Sequence, residues 1–484
     1  MSWWSLKKKI HPSWLIALLC AGIFIGVYLA QYTKSAIFSS VIILVIALAF
    51  VVIGFWRKYV YMIPIIVIGG ILFGLWRGLI IQTSLAEFTP LYGKLITLEG
   101  YIKDDADTGT AGQIVIRLDN IVINGKSMSG VLWISTDNVD VKRGDKLILH
   151  GQLREGFGNF AGVVYRATID EIIRPEPGDI ARVVRDWFAD GVRQALPEPE
   201  SSLGLGYLLG QRRALPADLA LALQIAGLTH VVVASGYNLT ILVRLARRLF
   251  VKVSKYLSAL SAVLMIVSFM AITGISPSMS RAGLVSVLSL VAWYYGRKFH
   301  PIILLLVAVA VTVIINPSYA WGDLGWQLSF AAFAGVMIIA PLAQCYLFGE
   351  KKPGFVGQVL GETVSAQLAT APIIILAFGQ FSNVAIVSNL LILPLVPLAM
   401  LLTFIAGVGG LVLPSFAVMI GTPATWLLNY MVSVTEYLAS LPWAMSEVDI
   451  KWWAIGIYYA ILIGVCLYMW RKTKYNLRDT NLVE

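Results

Sequence analysis

Long apolar runs make up most of the chain, and they are interrupted once, between residues 84 and 178, by alternating apolar and polar positions. Runs of about 20 apolar residues, the length that crosses the hydrocarbon core as a helix, lie near 13–31, 36–55 and 59–81. Similar runs recur from residue 228 onwards. The pattern predicts a polytopic α-helical membrane protein with about 10–12 spans.

The interrupting stretch contains five short segments with period-two alternation, which is typical of strands that bury one face. Glycine, aspartate and asparagine separate these segments. Five strands within about 85 residues predict a small β-barrel, and the OB-fold is the leading candidate because it is a five-stranded barrel. The segments are KLITLEGYI, QIVIRLDNIVI, SGVLWIST, DKLILHGQL and VVYRATIDEII.

The same patterns divide the chain into five parts. After the OB-like part, Val183, Val184, Trp187, Phe188 and Val192 share one helical face, which predicts a helix lying along the membrane surface. Prolines and glycines between 384 and 413 predict that some core helices are broken or re-entrant. The parts are three N-terminal transmembrane helices in 1–84, an OB-like domain in 85–178, amphipathic interfacial helices in 179–226, a polytopic core in 227–472 and a tail in 473–484.

The composition agrees with this division, since 58% hydrophobic and 13% charged residues exclude a soluble protein of this length. The net charge of +10 arises in the membrane part, because residues 90–178 contain 10 Lys/Arg and 12 Asp/Glu. Positively charged loops are retained in the cytoplasm. Lys7, Lys8 and Lys9 therefore predict a cytoplasmic N-terminus, the later cations predict a cytoplasmic C-terminus, and the β domain is predicted on the outer side.

Cysteines and histidines give no sign of a cofactor. Cys20, Cys345 and Cys466 all lie inside apolar runs, and the four histidines are scattered along the chain. We therefore expect neither a disulfide nor a metal site, and no cofactor.

Polar residues inside the apolar runs are the candidate functional residues, because an uncompensated polar group in hydrocarbon costs several kilocalories and is tolerated mainly in an interior or a wet cavity. Each of them could equally bond to its own helix or join two helices. We expect Arg281 to be neutralised by Asp323 or Glu362. The predicted pathway residues are Ser235, Tyr237, Asn238, Arg281, Asp323, Gln327, Glu362, Gln367, Gln380 and Asn389.

Five motifs in this order resemble the ComEC family of DNA-uptake channels over roughly residues 200–415. They are YLLGQRRALPADL, AGLTHVVVASGYNL, GISPSMSRAG, DLGWQLSFAAFAGV and AQLATAPIIILAFGQFSNVAIVSNLLILPLVP. The chain departs from the family's usual Ser-Gly-Leu-His-Ile, since it has Ser-Gly-Tyr-Asn-Leu at 235–239.

The resemblance implies a competence protein of the cytoplasmic (inner) membrane that passes one strand of incoming DNA during natural transformation. Arg244, Arg247 and Arg248 would then stand at the cytoplasmic mouth. A sequence-tolerant strand needs positive potential along its phosphates and aromatic rings for its bases. In the outer domain we expect weak, salt-sensitive contact through Trp133, Lys142, Arg143 and Lys146.

Many members of that family continue into a C-terminal metallo-β-lactamase-like domain, and this chain resembles the form that lacks it. We therefore expect a channel and not an enzyme, with a separate nuclease, a DNA receptor and a cytoplasmic DNA translocase as partners beside single-stranded DNA and membrane lipid. A small-molecule or ion transporter with an accessory outer domain is the main alternative. An intramembrane serine protease would need Ser235 activated by a base such as His300.

Overall fold

The computed structural model describes the chain in two compact units, one of Met1–Asp179 with Ile302–Gln327 and one of Ile180–Pro301 with Leu328–Glu484. They are called here the first and the second unit. The described residues are 8–33, 39–108, 113–137, 139–176, 178–211, 215–232, 235–274, 276–297, 300–349, 351 and 353–475. Lys7 lies outside the described residues, and so do residues 476–484 of the predicted tail.

Helices dominate both units. In chain order they are α1 (Pro12–Ala30), α2 (Val41–Arg57), α3 (Ile63–Ala86), α4 (Ile180–Ala195), α5 (Glu200–Leu209), α6 (Ala217–Ile225), α7 (Thr229–Val232), α8 (Gly236–Phe250), α9 (Lys255–Thr273), α10 (Pro277–Tyr294), α11 (Pro301–Ile315), α12 (Tyr319–Gly322), α13 (Leu324–Ala334), α14 (Ala340–Phe348), α15 (Phe355–Phe378), α16 (Ala385–Ile392), α17 (Val396–Val412), α18 (Ala417–Ala439) and α19 (Trp452–Thr473). A π-helical turn, Gly335–Ile339, joins α13 to α14.

Eight helical segments within the described residues are long and apolar enough to cross a membrane, and α2 and α11 are shorter apolar helices. This confirms a polytopic membrane protein. The run predicted from residue 228 is not among the eight, because it is divided into α7 and the 15-residue α8 with its three arginines. The eight are Pro12–Ala30, Val60–Leu91, Lys255–Thr273, Leu324–Phe348, Phe355–Phe378, Ala385–Val412, Pro414–Ala439 and Trp452–Thr473.

The inserted domain is a barrel of five main strands, as the alternation predicts. The strand order is β1-β6-β7-β5-β3, and β1 closes the barrel by also pairing with β3. Among the strands that the structure describes, only β5 and β7 run parallel. Two short strands, β2 and β4, are additions that the sequence pattern did not predict. The strands are β1 (Leu95–Ile102), β2 (Asp107–Thr108), β3 (Ile114–Ile123), β4 (Lys126–Met128), β5 (Leu132–Thr136), β6 (Lys146–Glu155) and β7 (Gly162–Ile173).

Alternation also explains the barrel core, because every second side chain of a strand points inward. Along β1 the residues alternate between exposed or half-buried and buried positions, and β6 behaves in the same way. The fully buried side chains include Leu98, Ile116, Leu118, Leu132, Ile134, Leu147, Leu149, Leu153 and Val164.

The second unit is built around α5, whose ten residues are all buried. Helices α4, α17 and α18 pack around it. The 3-10 turn Leu393–Leu395 separates α16 from α17, which confirms the predicted break near the prolines. A two-stranded ribbon, β8 (Gln380–Ser382) with β9 (Met445–Glu447), joins two loops of this unit.

Helix α4 only partly follows its predicted amphipathic pattern. Phe188 packs inward, with its ring stacked 5.8 Å from that of Phe404, whereas Val183 and Trp187 are 54% and 59% exposed. Arg185 on the same helix is buried, with Nε donating to Oδ1 of Asp186 at 3.1 Å. The apolar face is therefore divided between the core of the second unit and the surface.

Candidate functional site

Asn238 joins three helices at the break between α7 and α8. Its side chain is 0% exposed. Nδ2 donates to the backbone oxygens of Tyr207 (3.0 Å) and Val231 (3.2 Å), which lie in the last turns of α5 and α7. Carbonyls in these turns lack partners within their own helix. The expectation that Asn238 faces a wet lumen is thus wrong for this structure, since its amide is used inside the protein.

Ser235 is the N-cap of α8. Its Oγ accepts from the N–H of Asn238 at 3.4 Å and donates to Oδ1 of the same residue at 3.2 Å. These bonds start the helix, and they give the hydroxyl a structural partner that is not an imidazole. A serine nucleophile is therefore not supported.

Arg281 is the fifth residue of α10 and is held by hydroxyl groups. Its Nε donates to Oγ of Ser329 at 2.6 Å, and Oγ of Ser278 lies 3.1 Å from the same oxygen. Ser329 is the sixth residue of the candidate span Leu324–Phe348, about 8 Å along the helix axis. The guanidinium is thus placed along a spanning helix and not at its extreme end.

Aromatic rings complete the surroundings of this guanidinium. Its carbon lies 5.9 Å from the ring centroid of Phe330 and 5.2 Å from that of Phe333. A cation over an aromatic face is stabilised by the ring quadrupole without losing its charge. Neutral groups therefore meet part of the hydrogen-bonding capacity of the Arg281 guanidinium, and its charge remains able to attract an anion.

The start of α8 approaches the same guanidinium closely. A Cβ atom at Gly236 would lie 2.8 Å from Nη2 of Arg281 and 3.0 Å from Cβ of Ala282, so glycine allows this contact. Helices α8 and α10 both begin here, and the N-terminus of a helix carries partial positive charge. Two helix starts and one guanidinium, here called the Arg281 centre, concentrate positive potential.

The ion pair predicted for Arg281 with Glu362 is not formed among the described residues. Glu362 instead accepts a hydrogen bond from Nε2 of Gln358, one turn earlier on α15, at 3.0 Å. The physical reason is that Ser329 and the phenylalanine rings already surround Arg281. The Arg281 centre therefore has a net positive charge that a substrate anion could balance.

Asp323, the other predicted partner, has a structural position in the first unit. Its Oδ1 accepts from the N–H of Trp326 at 2.7 Å, and its Oδ2 accepts from Nδ2 of Asn159 at 2.8 Å. Beside this bond two backbones touch, because a Cβ atom at Gly322 would lie 2.4 Å from the carbonyl carbon of Gly158. Asp323 thus starts α13 and fixes the β6–β7 loop of the barrel.

The remaining predicted pathway residues bond to nearby groups. Gln380 lies in β8 and pairs with Glu447 across the ribbon. Trp326, the neighbour of Gln327 in the chain, is only 4% exposed, and its Nε1 donates to Oγ1 of Thr312 at 3.0 Å. The other bonds run from Gln327 to Ala320 O (3.5 Å), from Gln367 to Ser382 O (3.5 Å), from Asn389 to Ala385 O (2.7 Å) and from the Tyr237 hydroxyl to Leu393 O (3.3 Å).

The three arginines expected at a cytoplasmic mouth lie in the second half of α8. Arg248 is exposed and Arg244 is half-buried. Arg247 is buried, and its guanidinium carbon lies 5.0 Å from the ring of Trp293. The structure therefore places the three arginines in the half of α8 that is farther from Gly236, with Arg247 beside Trp293.

In the barrel, Trp133 belongs to an exposed aromatic cluster. Its ring centroid lies 5.4 Å from that of Tyr165 and 5.9 Å from that of Phe157, and Phe157 lies 5.3 Å from Phe160. The guanidinium of Arg154 is 5.6 Å from the Tyr165 ring. Tyr165 and Phe157 are 49% and 51% exposed. This group, here called the barrel aromatic patch, combines open rings with a cation, as single-strand sites do.

The loop cations predicted beside Trp133 are not brought to it. Trp133 pairs with Val163 near the start of β7, whereas Lys146 pairs with Ile173 at its end. Lys146 forms an ion pair with Glu99 at 2.7 Å, and this bond raises the pKa of the lysine. Arg143 is buried and bonds to Asp179 at 2.6 Å. Lys142 alone of the three is exposed, so the aromatic patch is the better candidate surface.

Sequence reasoning missed the residues that complete both sites. Ser329 and Phe333 lie four positions apart and thus share a helical face, and this spacing is visible in the sequence. Arg154, Phe157 and Tyr165 are separated from Trp133 by more than a strand, so their proximity depends on the parallel pairing of β5 with β7. Among the residues that the structure describes, no three His, Cys, Asp or Glu side chains gather as a metal site.

Sequence comparisons show which known proteins the chain resembles. A family model described as "Competence protein" matches residues 207–473. The chain is similar to ComE operon protein 3 of Bacillus subtilis (strain 168), with 25% identity over 215 residues, which is 44% of this chain and 27% of that relative. The alignment thus spans about a quarter of the relative's length. No solved structure matches the chain.

Proposed function

The chain belongs to the competence protein family, and we propose that it conducts one strand of DNA across the cytoplasmic membrane during natural transformation. In this proposal the barrel lies on the outer side and both termini lie in the cytoplasm. The partners are single-stranded DNA, a DNA receptor, a separate nuclease and a cytoplasmic translocase. The similarity to ComE operon protein 3 over 215 residues supports the proposal.

The observation that carries the proposal is the Arg281 centre. A DNA strand presents one negative charge per phosphate, and that charge must be compensated wherever water is scarce. Discontinuous helices whose starts point at an anionic group serve this purpose in transporters. Arg281 and the starts of α8 and α10 supply this positive potential, and the rings of Phe330 and Phe333 hold the guanidinium in place.

We expect Arg281→Gln to reduce the arrival of labelled single strands in the cytoplasm by at least about tenfold, because the strand's phosphates lose their compensating charge. A tenfold reduction corresponds to a loss of about 1.4 kcal/mol of transition-state stabilisation. Arg281→Lys should retain part of the activity, because it keeps the charge but loses the planar fork of donors. The measurement is uptake of end-labelled DNA per cell, normalised to the amount of each variant in the membrane by immunoblot.

Ser329→Ala is the matched control, because it removes the hydroxyl partner of Arg281 but leaves the charge. It should lower uptake less than Arg281→Gln does. Full uptake by Arg281→Gln at the wild-type protein level would contradict the proposal.

A small-anion transporter is the second candidate, because the Arg281 centre would serve any anion. The two functions differ in a deletion strain. Loss of transformation with unchanged anion uptake supports the DNA channel, whereas normal transformation with impaired anion uptake supports the transporter.

A further inference from the structure

Three helix ends meet at the side of the second unit where α9 begins. The guanidinium of Arg247 lies 5.0 Å from the Trp293 ring, and the ammonium of Lys255 lies 5.6 Å from that ring and 5.4 Å from the ring of Tyr294. The hydroxyl of Ser258 donates to the backbone oxygen of Arg247 at 2.8 Å and ties α9 to α8. The end of α8, the start of α9 and the end of α10 therefore form one surface.

This surface has an excess of positive charge. From residue 219 to residue 322 the sequence contains no Asp or Glu. Arg248, Lys252, Lys255 and Arg297 are exposed. None of these four forms an ion pair within the described part of the chain. Their charge is thus balanced neither by the local sequence nor by a folded neighbour.

Exposed apolar side chains stand beside the cations. Leu249, Val253, Tyr256 and Tyr295 are 65%, 74%, 66% and 71% exposed. Lys255 is the first residue of the candidate span Lys255–Thr273, so this surface lies at a span end. Tyrosine, tryptophan and cations at a span end are typical of the level of the lipid headgroups.

We propose that this basic–aromatic surface, formed by Arg247, Arg248, Lys252, Lys255, Trp293, Tyr294 and Arg297 with its apolar neighbours, binds anionic phospholipid headgroups. The exposed cations of the surface, Arg248, Lys252, Lys255 and Arg297, contact the phosphates, and Leu249 and Val253 contact the acyl chains. This binding is additional to strand transport and does not depend on it.

A nucleic acid strand fits the same surface less well. Base stacking needs open ring faces, but Arg247 and Lys255 already lie over Trp293 and Tyr294. A strand would also leave the exposed leucine and valine in water, whereas a lipid covers them. Amphipathic helices with arginines on one side bind anionic lipid by this combination of charge and apolar area.

The test uses the purified full-length protein in nanodiscs that contain phosphatidylcholine with increasing fractions of phosphatidylglycerol. Bound phosphatidylglycerol is counted by native mass spectrometry after release into mild detergent. The triple variant Arg248→Gln/Lys252→Gln/Arg297→Gln should retain at least about tenfold less of this lipid, since each cation near an anionic surface contributes roughly fivefold. Phosphatidylcholine retention should not change.

The matched control removes three cations at the end of α19, by Arg471→Gln, Lys472→Gln and Lys474→Gln. Equal loss of lipid in both triple variants would overturn the proposal, because the effect would then be general charge and not this surface. If the first triple variant is not folded, Arg248→Gln and Lys252→Gln alone should each give a loss of roughly fivefold. If the first triple variant loses oligonucleotide binding but retains as much lipid as the wild type, the surface is assigned to DNA and the proposal is also overturned.

Discussion

At the scale of single residues, a sequence shows which polar groups lie within apolar runs but not which way they point. Asn238 and Arg281 carry the same signal, a polar residue inside an apolar run. The first bonds to two helix ends in the interior, and the second lies among serines and phenylalanines. The difference depends on which helices end nearby, and that is a property of the tertiary fold.

We expect Asn238→Ala to lower the free energy of unfolding by about 1–3 kcal/mol, because the Tyr207 and Val231 carbonyls would lose a buried donor. The midpoint of thermal unfolding of the purified protein in detergent measures this. Thr422→Ala is a suitable control, since its exposed hydroxyl bonds only to its own helix. If Asn238→Ala has unchanged stability but no DNA uptake, the residue lines the transport route instead.

This comparison shows what could be predicted from the sequence. The membrane class, the five main strands and the break near Pro394 follow from local periodicity and from proline chemistry. The partner of Arg281 could not be predicted, because opposite charge alone does not show which other groups bond to Asp323 and Glu362. Asp323 accepts a hydrogen bond from Asn159, which lies 164 positions away in the chain, and Glu362 accepts one from Gln358.

At the scale of elements, the barrel shows how closure creates a surface that no segment contains alone. β1 pairs with β6 over Leu95–Tyr101 and with β3 over Leu98–Ile102, and the register shifts between Glu99 and Tyr101. This shift lets one strand join both edges, so the barrel has few open edges. The parallel pairing of β5 with β7 then places Trp133 beside Tyr165.

We expect the barrel aromatic patch to bind single strands weakly and with strong salt dependence. Trp133→Ala and Tyr165→Ala should each weaken binding by about 1–3 kcal/mol, the usual worth of one stacked base. Arg154→Gln should reduce the salt dependence by about one counterion. The measurement is fluorescence anisotropy of a labelled oligonucleotide titrated with the full-length protein at 50 and 200 mM salt.

The control for this titration is Tyr101→Ala, an exposed aromatic residue of β1 that is not in the patch. It should leave the affinity unchanged. Equal effects of Tyr101→Ala and Tyr165→Ala would show that the patch has no special part in strand binding.

At the scale of the whole molecule, the distribution of charge predicts how the chain lies in the membrane. The basic stretches near Lys351 and Arg471 alternate with acidic or neutral ones, such as the β domain and the β9 segment with Glu447 and Asp449. Cations are retained on the cytoplasmic side, whereas acidic groups contribute little to orientation. Lys351 is therefore expected inside, and the barrel and Asp449 outside.

Single cysteines test this orientation in intact cells, because a charged maleimide does not cross about 30 Å of hydrocarbon. Cys20, Cys345 and Cys466 are first replaced by alanine. Asp137→Cys and Asp449→Cys should then be labelled from outside, and Lys351→Cys only after the membrane is permeabilised, since all three positions are exposed in the structure. The reverse pattern would place the barrel in the cytoplasm. Incoming DNA would then meet the helical core first, and the barrel aromatic patch could act only on a strand that has already crossed.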